Sequence, residues 1–471
     1  MNTLTDERVP LSFSELARVV DGRIVGGSAA VLIDGVSIDS RVLRPGDLFV
    51  AIRGDRFDGH RFVKEAFVAG AVGALVSDES ALESPSAAVG VVVDDTLRAL
   101  QVLSQHVRRA SGARVVAITG SVGKTTTKEL TAEVLRARYS VFRSHGNLNN
   151  HIGVPLSLLE LRARPEIAVV ELGMSASGEI RRLVEIVEPD LRVWTNVEEV
   201  HGEFFQSIEA IADAKAEILD GATEATVTVA NGDDHRVMRR VAGVPGRLAT
   251  FGVSAEADVM ATEVDDLGLD GTRAVVRTPV GSTSVTTPLL GRGNLANVLA
   301  AVTVALQLQV SPAEAAARVA AVGASPGRGQ IHRLARGVLV VDDSYNANPL
   351  AVKTALRAVA GDRRPGRRVA VLGEMLELGR RAEALHRDTG RAAVAAGFGL
   401  LVTVGGASAK ALGEAAVEAG LSAESVKHCD DSNAAATRLA GLLRNDDLVL
   451  IKGSRGVQTE RVVNRIVEEW A

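Results

Sequence analysis

The 471-residue chain predicts an α/β fold in three domains. A small N-terminal α/β unit is expected first, then a central P-loop unit on a mostly parallel sheet, then a C-terminal Rossmann-like α/β unit. Three observations carry this prediction. An apolar run, Val115 to Ile118, leads into Thr119-Gly120-Ser121-Val122-Gly123-Lys124-Thr125 and then into a helical segment. Strand-length apolar runs alternate with helical patterns beyond it, which argues for parallel strands with helices on both faces. The alternation breaks at the turn-rich Ala324-Ser325-Pro326-Gly327-Arg328-Gly329 and then restarts. The expected domains are therefore residues 1–112, 113–326 and 327–471.

In the first unit a short helix (Ser14 to Val20), strand-like runs and a helix from Phe62 to Ala69 precede an amphipathic helix from Leu97 to Arg109. Its polar loops carry Ser40 and Arg41, then Arg53, Arg56, Asp58, Gly59 and His60. Arg41, Arg53, Arg56 and His60 could form a cationic cluster for a phosphorylated ligand. Read locally, the same run is a solvated loop.

In the second unit, strand, glycine-rich turn and helix N-terminus build a nest of backbone N–H groups suited to phosphate oxygens. Lys124 can then reach β- and γ-phosphates, and the Thr125 hydroxyl can ligate Mg²⁺. Position 118, where GxxxxGK[ST] has its first glycine, is Ile, so Gly120 must supply the tight turn. Further strands are expected at Ile167 to Leu172, Arg192 to Val197 and Thr226 to Ala230, with ligand chemistry at their carboxyl ends. Glu171 ends one of them and offers the hard oxygens that Mg²⁺ prefers. His201 follows another; histidine is a less typical Mg²⁺ ligand, and a lone one is commonly structural. Lys215, on a helix from Ile208 to Ile218, reads locally as a solvated lysine. Asn147, Asn149 and Asn150 crowd the loop before a helix at Pro155 to Leu161, and Asn294 and Asn297 share one face of an Ala-rich helix. Such amides suit base or sugar recognition, or cap helices.

The third unit offers strands at Val338 to Val341, Arg368 to Leu372, Leu400 to Val404 and Leu448 to Ile451. Polar clusters stand at three strand ends: Asp342 to Pro349, Gly373 to Gly379 and Lys452 to Gly456.

Composition narrows the class. A net charge of −5 lacks the basic excess of a nucleic-acid binder, so no nucleic-acid partner is expected. The single cysteine, Cys429, permits no disulfide or cysteine zinc site within the chain and fits a reducing cytosol. No apolar leader follows Asp6 and Glu7, and runs such as Val89 to Val93 are too short to span a bilayer. A soluble cytoplasmic protein without membrane insertion is expected.

Together these strings resemble the Mur ligases, the ATP-dependent amide-forming enzymes that build the peptidoglycan precursor. The P-loop, Asn147-Leu148-Asn149-Asn150-x-x-Gly153-Val154-Pro155 and Glu171-Leu172-Gly173-Met174 carry the likeness. So do Asn196 to His201, Ala214-Lys215-Ala216-Glu217, Asp342 to Pro349 and Lys452-Gly453-Ser454-Arg455, in family order across nearly the whole chain. The Asn-rich loop and Asp342 to Pro349 resemble the branch that adds D-Ala-D-Ala to UDP-MurNAc-tripeptide. The Asp-Asn-Pro-Arg motif of the preceding step is absent.

The resemblance implies ATP and two Mg²⁺ ions as cofactors, and a monomer that closes about the Pro326–Arg328 hinge. Glu171 and His201 match metal ligands, alongside Thr125, and Lys215 matches the lysine that the family carbamylates into an anionic oxygen ligand. Lys124, Lys215, His201 and Glu171 would be catalytic. Thr119 to Thr125, Asn294, Asn297, Arg328, Asp343 and Asn346 would bind ATP. Ser40, Arg41, Asp58, Gly59 and His60 would serve the uridine diphosphate, with Asn149, Asn150, Asn348, Lys452, Ser454 and Arg455 as further substrate contacts. The chain departs from the family at Gly293, where a histidine is usual before Asn294.

Overall fold

A computed structural model describes residues 8–54, 57–82, 88–198 and 205–471. Its strands form three sheets that follow one another along the chain. The first runs, edge to edge, Arg23–Val25, Val89–Val92, Gly73–Val76, Leu48–Val50 and Val36–Ser37, all parallel except the Arg23–Val25 edge. Helix Phe13–Val20 begins at Ser12, whose hydroxyl accepts from Glu15 N–H, and helix Thr96–Ser111 begins at Asp95, which accepts from Leu97 and Arg98. Such caps satisfy amides that the helix itself leaves unpaired. Leu100 and Leu103 of the second helix are fully buried in one cluster with Phe13 and Leu16 on one side and Val115 and Ala117 on the other. The first apolar core therefore runs unbroken into the central unit.

The central sheet orders nine strands: Gly281–Thr287, Thr272–Thr278, Val259–Asp266, Arg247–Gly252, Val227–Asn231, Leu191–Trp194, Arg114–Thr119, Ile167–Glu171 and Val141–Arg143. Pairings are parallel except for the last two strands of this unit, Thr272–Thr278 and Gly281–Thr287, which add antiparallel pairings at one edge. Successive residues of a strand point to opposite faces. Val115 and Ala117 accordingly join one core, while Val116 and Ile118 join the other with Val193 and Val229. Both faces are covered, so these strands read as continuous apolar runs. Helix Gly291–Gln307 closes the second face with Leu295, Val298, Leu299 and Val302 buried.

The C-terminal sheet runs Gln330–Arg333, Leu339–Asp343, Leu448–Lys452, Arg368–Gly373, Leu400–Val404 and Val426–Cys429, antiparallel only at the first edge. Leu448–Lys452 lies between two parallel neighbours, which brings Asp343, Lys452 and Gly373 together at one end. Besides the linker, the turn between the Val259–Asp266 and Thr272–Thr278 strands ties the last two units. Leu269 is buried in the C-terminal core, its N–H donates to Asp362 Oδ2 (2.8 Å), and Asp270 pairs with Arg333 and Arg364.

Most expected elements form within a residue or two of their expected limits. One strand is shorter: it ends at Trp194, because Thr195 and Asn196 leave the sheet to brace the P-loop. The Thr272–Thr278 and Gly281–Thr287 strands were not expected. They carry Thr, Ser and Arg on a half-exposed edge, which leaves no apolar run to read.

Candidate active site

The P-loop follows from its two glycines. Gly120 has φ +152 and Gly123 φ +83, and a Cβ at Gly120 would lie 1.9 Å from Thr195 Oγ1, one at Gly123 2.3 Å from Asn297 Oδ1. Only glycine fits either position. The loop is braced from the next strand end: Ser121 N–H donates to Asn196 O (3.1 Å), Val122 N–H to Asn196 Oδ1 (2.9 Å), and Thr195 Oγ1 to Val122 O (2.9 Å). Thr119 is buried and donates to Leu172 O. Helix Lys124–Leu135 opens on Gly123 without a side-chain cap. Its first amides thus remain available, with the positive end of the helix dipole behind them.

Two ammonium groups converge on one carbonyl oxygen. Lys124 Nζ donates to Gly120 O (2.8 Å) and Ser121 O (3.2 Å), and Lys215 Nζ donates to the same Gly120 O (3.1 Å). The local reading of Lys215 as a solvated lysine is wrong: it is 2% exposed. Its burial, and then the Lys124 charge beside it, push its pKa well below the ordinary 10.5. Enclosure also lowers Lys124; Glu171 opposes that shift and Arg328 adds to it.

Beside them, Glu171 is 3% exposed, its Oε2 accepting from the Thr125 hydroxyl (2.8 Å) and its Oε1 from Asn149 Nδ2 (2.8 Å). Thr125 and Glu171 are hard oxygen donors of the kind Mg²⁺ takes. Among the described residues no cluster of three His, Cys, Asp or Glu side chains forms, so a Mg²⁺ here would share its remaining positions with substrate oxygens and water. His201 lies outside the described residues.

The amides divide by role. Asn297 is buried and accepts from Thr127 Oγ1, while its Nδ2 donates to Asn294 Oδ1 (3.1 Å), so the pair forms one unit behind Gly123. Asn150 accepts from Ile152 and Gly153 N–H, opening helix Gly153–Leu159. Asn348 caps helix Pro349–Ala360 through Ala351 N–H. Asn149 orients Glu171 by the bond above. The carbonyl or amide of each is thus engaged with protein, and Asn348 takes the helix-capping role.

In the C-terminal unit, Lys452 Nζ pairs with Asp343 Oδ2 (2.6 Å) and donates to Asn346 O (3.0 Å). Burial raises the Asp343 pKa, while Lys452 and Arg328 draw it down. Ser454 Oγ donates to Ala347 O and accepts from Leu376 N–H, linking all three polar clusters. Arg328 and Arg455 both stack on Tyr345.

Among the described residues, the N-terminal cations take nearby carboxylate partners, in keeping with the local reading of a solvated loop. Arg41 pairs with Asp39 (2.6 Å) and Arg53 with Asp58 (3.1 Å). His60 Nε2 accepts from Ser77 N–H (2.9 Å), so its Nδ1 carries the proton and donates to Asp58 (2.6 Å). That bond holds the Asp58 carboxyl at about 2. Gly59 is required by close approach, a Cβ there meeting Ile52 N at 2.7 Å. Ser40 and Arg41 follow the edge strand Val36–Ser37, and Arg56 lies outside the described residues. The braces Thr195 and Asn196, the buried Lys128 that donates to Ser144 O (2.8 Å), and Tyr345 were not singled out as functional from sequence. For Thr195, Asn196 and Tyr345 the place just past a strand's carboxyl end was the available signal; Lys128, on the helix after the P-loop, offered none.

Three segments match known families: residues 32–120 the Mur ligase family, catalytic domain, residues 118–305 the Mur ligase middle domain, and residues 327–455 the Mur ligase, glutamate ligase domain. The chain belongs to the Mur ligase family. This Mur ligase is 36% identical over 469 residues to the UDP-N-acetylmuramoyl-tripeptide–D-alanyl-D-alanine ligase of Escherichia coli, covering 98% of this chain and 99% of that one. Its fold superposes on MurF from Acinetobacter baumannii with a TM-score of 0.88 at 30% identity, covering 98% and 99% of the two chains. MurF from Thermotoga maritima, solved in complex with ADP, aligns with a TM-score of 0.79 at 30% identity over 92% and 97%. Among the described residues, no helix of this Mur ligase is long and apolar enough to cross a membrane.

Proposed function

We propose that this Mur ligase joins D-alanyl-D-alanine to UDP-N-acetylmuramoyl-tripeptide, converting ATP to ADP and phosphate, as a monomer in the cytoplasm. The observation that carries the reading is the pair of ammonium groups, Lys124 and Lys215, on the single carbonyl of Gly120 beside the Thr125–Glu171 pair. The first step brings two anions together, since the terminal carboxylate of the peptide attacks the γ-phosphate of ATP. A site where two lysine amines, neither in a salt bridge among the described residues, meet on one carbonyl is suited to that encounter. The product is an acyl phosphate and ADP. The amine of D-Ala-D-Ala then attacks the acyl carbon, losing a proton as phosphate leaves with the C–O bond.

In this scheme Lys124 neutralises the β- and γ-phosphates, and the loop amides hold their oxygens. Thr125 and Glu171, with His201, would hold Mg²⁺, which when bound supplies charge neutralisation at the reacting phosphate. Lys215, whose pKa burial pushes well below the ordinary 10.5, is suited to lose a proton and add to CO₂, releasing a second proton and becoming a carbamate with anionic oxygens. Asn294 and Asn297 would meet the adenine side of the nucleotide. Residues 1–112, through Ser40, Arg41 and the Asp58–His60 turn, would hold the uridine diphosphate. Residues 327–471 would bring Arg328, Asp343, Asn346 and Arg455 over the site, and closure about the linker would keep water from the acyl phosphate.

The test is phosphate release from ATP and Mg²⁺ with UDP-MurNAc-tripeptide and D-Ala-D-Ala, added singly and together. Release that requires both, with a UDP-MurNAc-pentapeptide by mass, is expected. Release with a single amino acid in place of the dipeptide would move the chain to a neighbouring step. Independence from both would overturn the reading.

A further inference from the structure

Tyr345 stands between the linker and the Lys452–Arg455 loop, and its ring carries two cations. The guanidinium carbon of Arg328 lies 3.9 Å from the ring centroid and that of Arg455 5.0 Å. Both fall inside the roughly 6 Å reach of a cation–π contact. Neither guanidinium forms a salt bridge among the described residues. The backbone makes the same junction: Tyr345 N–H donates to Gly327 O (2.9 Å) and Gly329 N–H to Asp342 O (2.8 Å), which stitches the linker to this loop on both sides of Arg328. From that position Arg328 acts on the charge of Lys124 and of Asp343. Its charge is therefore felt both at the P-loop lysine and at the Asp343 carboxylate.

We infer that Tyr345 is the positioning residue that holds Arg328 and Arg455 as a pair facing the terminal phosphate of a nucleotide seated on the Lys124 loop. The inference rests on the ATP-dependent reading above and adds a residue to it. Two guanidiniums repel each other, and a carboxylate between them would cancel the charge that an incoming phosphate needs. A ring face attracts each cation and leaves its charge and N–H donors intact. It also restricts two long side chains before the phosphate arrives, which lowers the entropy lost on binding.

The ring, rather than the hydroxyl, should matter, and it should matter for the γ-phosphate. The Mg²⁺ complexes of ADP and of the β,γ-imido analogue of ATP are titrated by calorimetry into wild type, Tyr345→Phe and Tyr345→Leu. The leucine variant should lose about 5- to 30-fold in affinity for the analogue, the range a desolvated cation–π contact supports, and stay within about twofold for ADP. The phenylalanine variant should bind both like wild type. In the leucine background, Arg328→Met should cost less than it does in wild type, because the two side chains act together. If Tyr345→Leu fails to fold, Tyr345→Met serves as the non-aromatic variant. Equal losses for ADP and the analogue, or equal losses in the phenylalanine and leucine variants, would overturn the clamp. A wild type that binds neither nucleotide would sink the ATP reading itself, whereas one that binds both while tolerating leucine sinks the clamp alone.

Discussion

Lys215 and Lys452 belong to different units and are about equally hidden, but they are differently partnered. They are 2% and 4% exposed. Lys452 has a carboxylate, Asp343, at 2.6 Å; Lys215 has a carbonyl, Gly120 O, at 3.1 Å, and a second ammonium on that same oxygen. A buried charge is tolerated when it is paired and hydrogen-bonded, and is costly otherwise. Lys452 is thus part of what holds the C-terminal loops together. Lys215 is a standing cost to the fold, which makes sense only if the site is completed by something else. The comparison separates cations that build the cleft from cations that serve its ligand.

The largest effect that could break this distinction lies on the central wall. Lys124→Met and Lys215→Met should each lower phosphate release by about 10³-fold or more, the loss of a charge from the transition state. The unliganded Lys215→Met protein, in CO₂-free buffer, should nevertheless melt a few degrees above wild type. The sign follows from linkage. The folded pKa of Lys215 is depressed below the ordinary 10.5, so between the two values the unfolded chain holds a proton that the folded chain does not. Wild-type stability therefore rises with pH across that window, and the full cost of burial is present below it. The advantage of methionine should accordingly be larger at pH 7 than at pH 10, read by thermal melts at both. A methionine variant less stable than wild type at pH 7 would mean that the lysine supports the fold.

Lys452→Met should do the opposite. It leaves Asp343 without its cation and frees the carbonyl of Asn346. A fully buried pair broken on one side costs roughly 3–5 kcal/mol; with Asp343 23% exposed, about 2–3 is expected here. Urea unfolding of the two variants side by side gives the contrast directly. Shifts of the same sign would erase the distinction.

What was legible in the sequence follows the same line between local and distant causes. The P-loop was legible because its nest depends on glycines three residues apart and on the strand and helix that flank them. The need for Gly120 at the turn, argued from Ile118, is met by its φ of +152 and by Thr195 against it. Lys215 was opaque because its burial is made by Gly120, 95 residues away, and nothing on its own helix announces it. The Mur ligase resemblance, not the helix pattern, raised it. The arginines near residue 41 were legible as a solvated loop, and Asp39 and Asp58, within a few positions of them, are the partners they take. Asn149 could be seen as a loop amide, but its hold on Glu171 spans 22 residues and two strand ends.

The smallest effect tests a position where the wall carries no charge at all. Gly293 is the third residue of helix Gly291–Gln307, one before the Asn294–Asn297 pair, and a Cβ placed on it meets nothing within 4 Å. The glycine is therefore not required by packing, and its φ is not in the left-handed range. Gly293→His should fold as well as wild type, gaining a few tenths of a kcal/mol from better helix propensity. The imidazole would project from the same turn as Asn294, where the family usually carries a histidine. One added hydrogen bond to a ligand is worth about 0.5–1.5 kcal/mol, so ADP should bind roughly two- to twelvefold tighter, read by the calorimetric titration used for Tyr345. A histidine that leaves ADP affinity unchanged would place Gly293 outside the nucleotide's reach and restrict recognition at this helix to the asparagine pair. A histidine that weakens ADP would show that the open space beside Gly293 belongs to the ligand, and that the glycine keeps it clear.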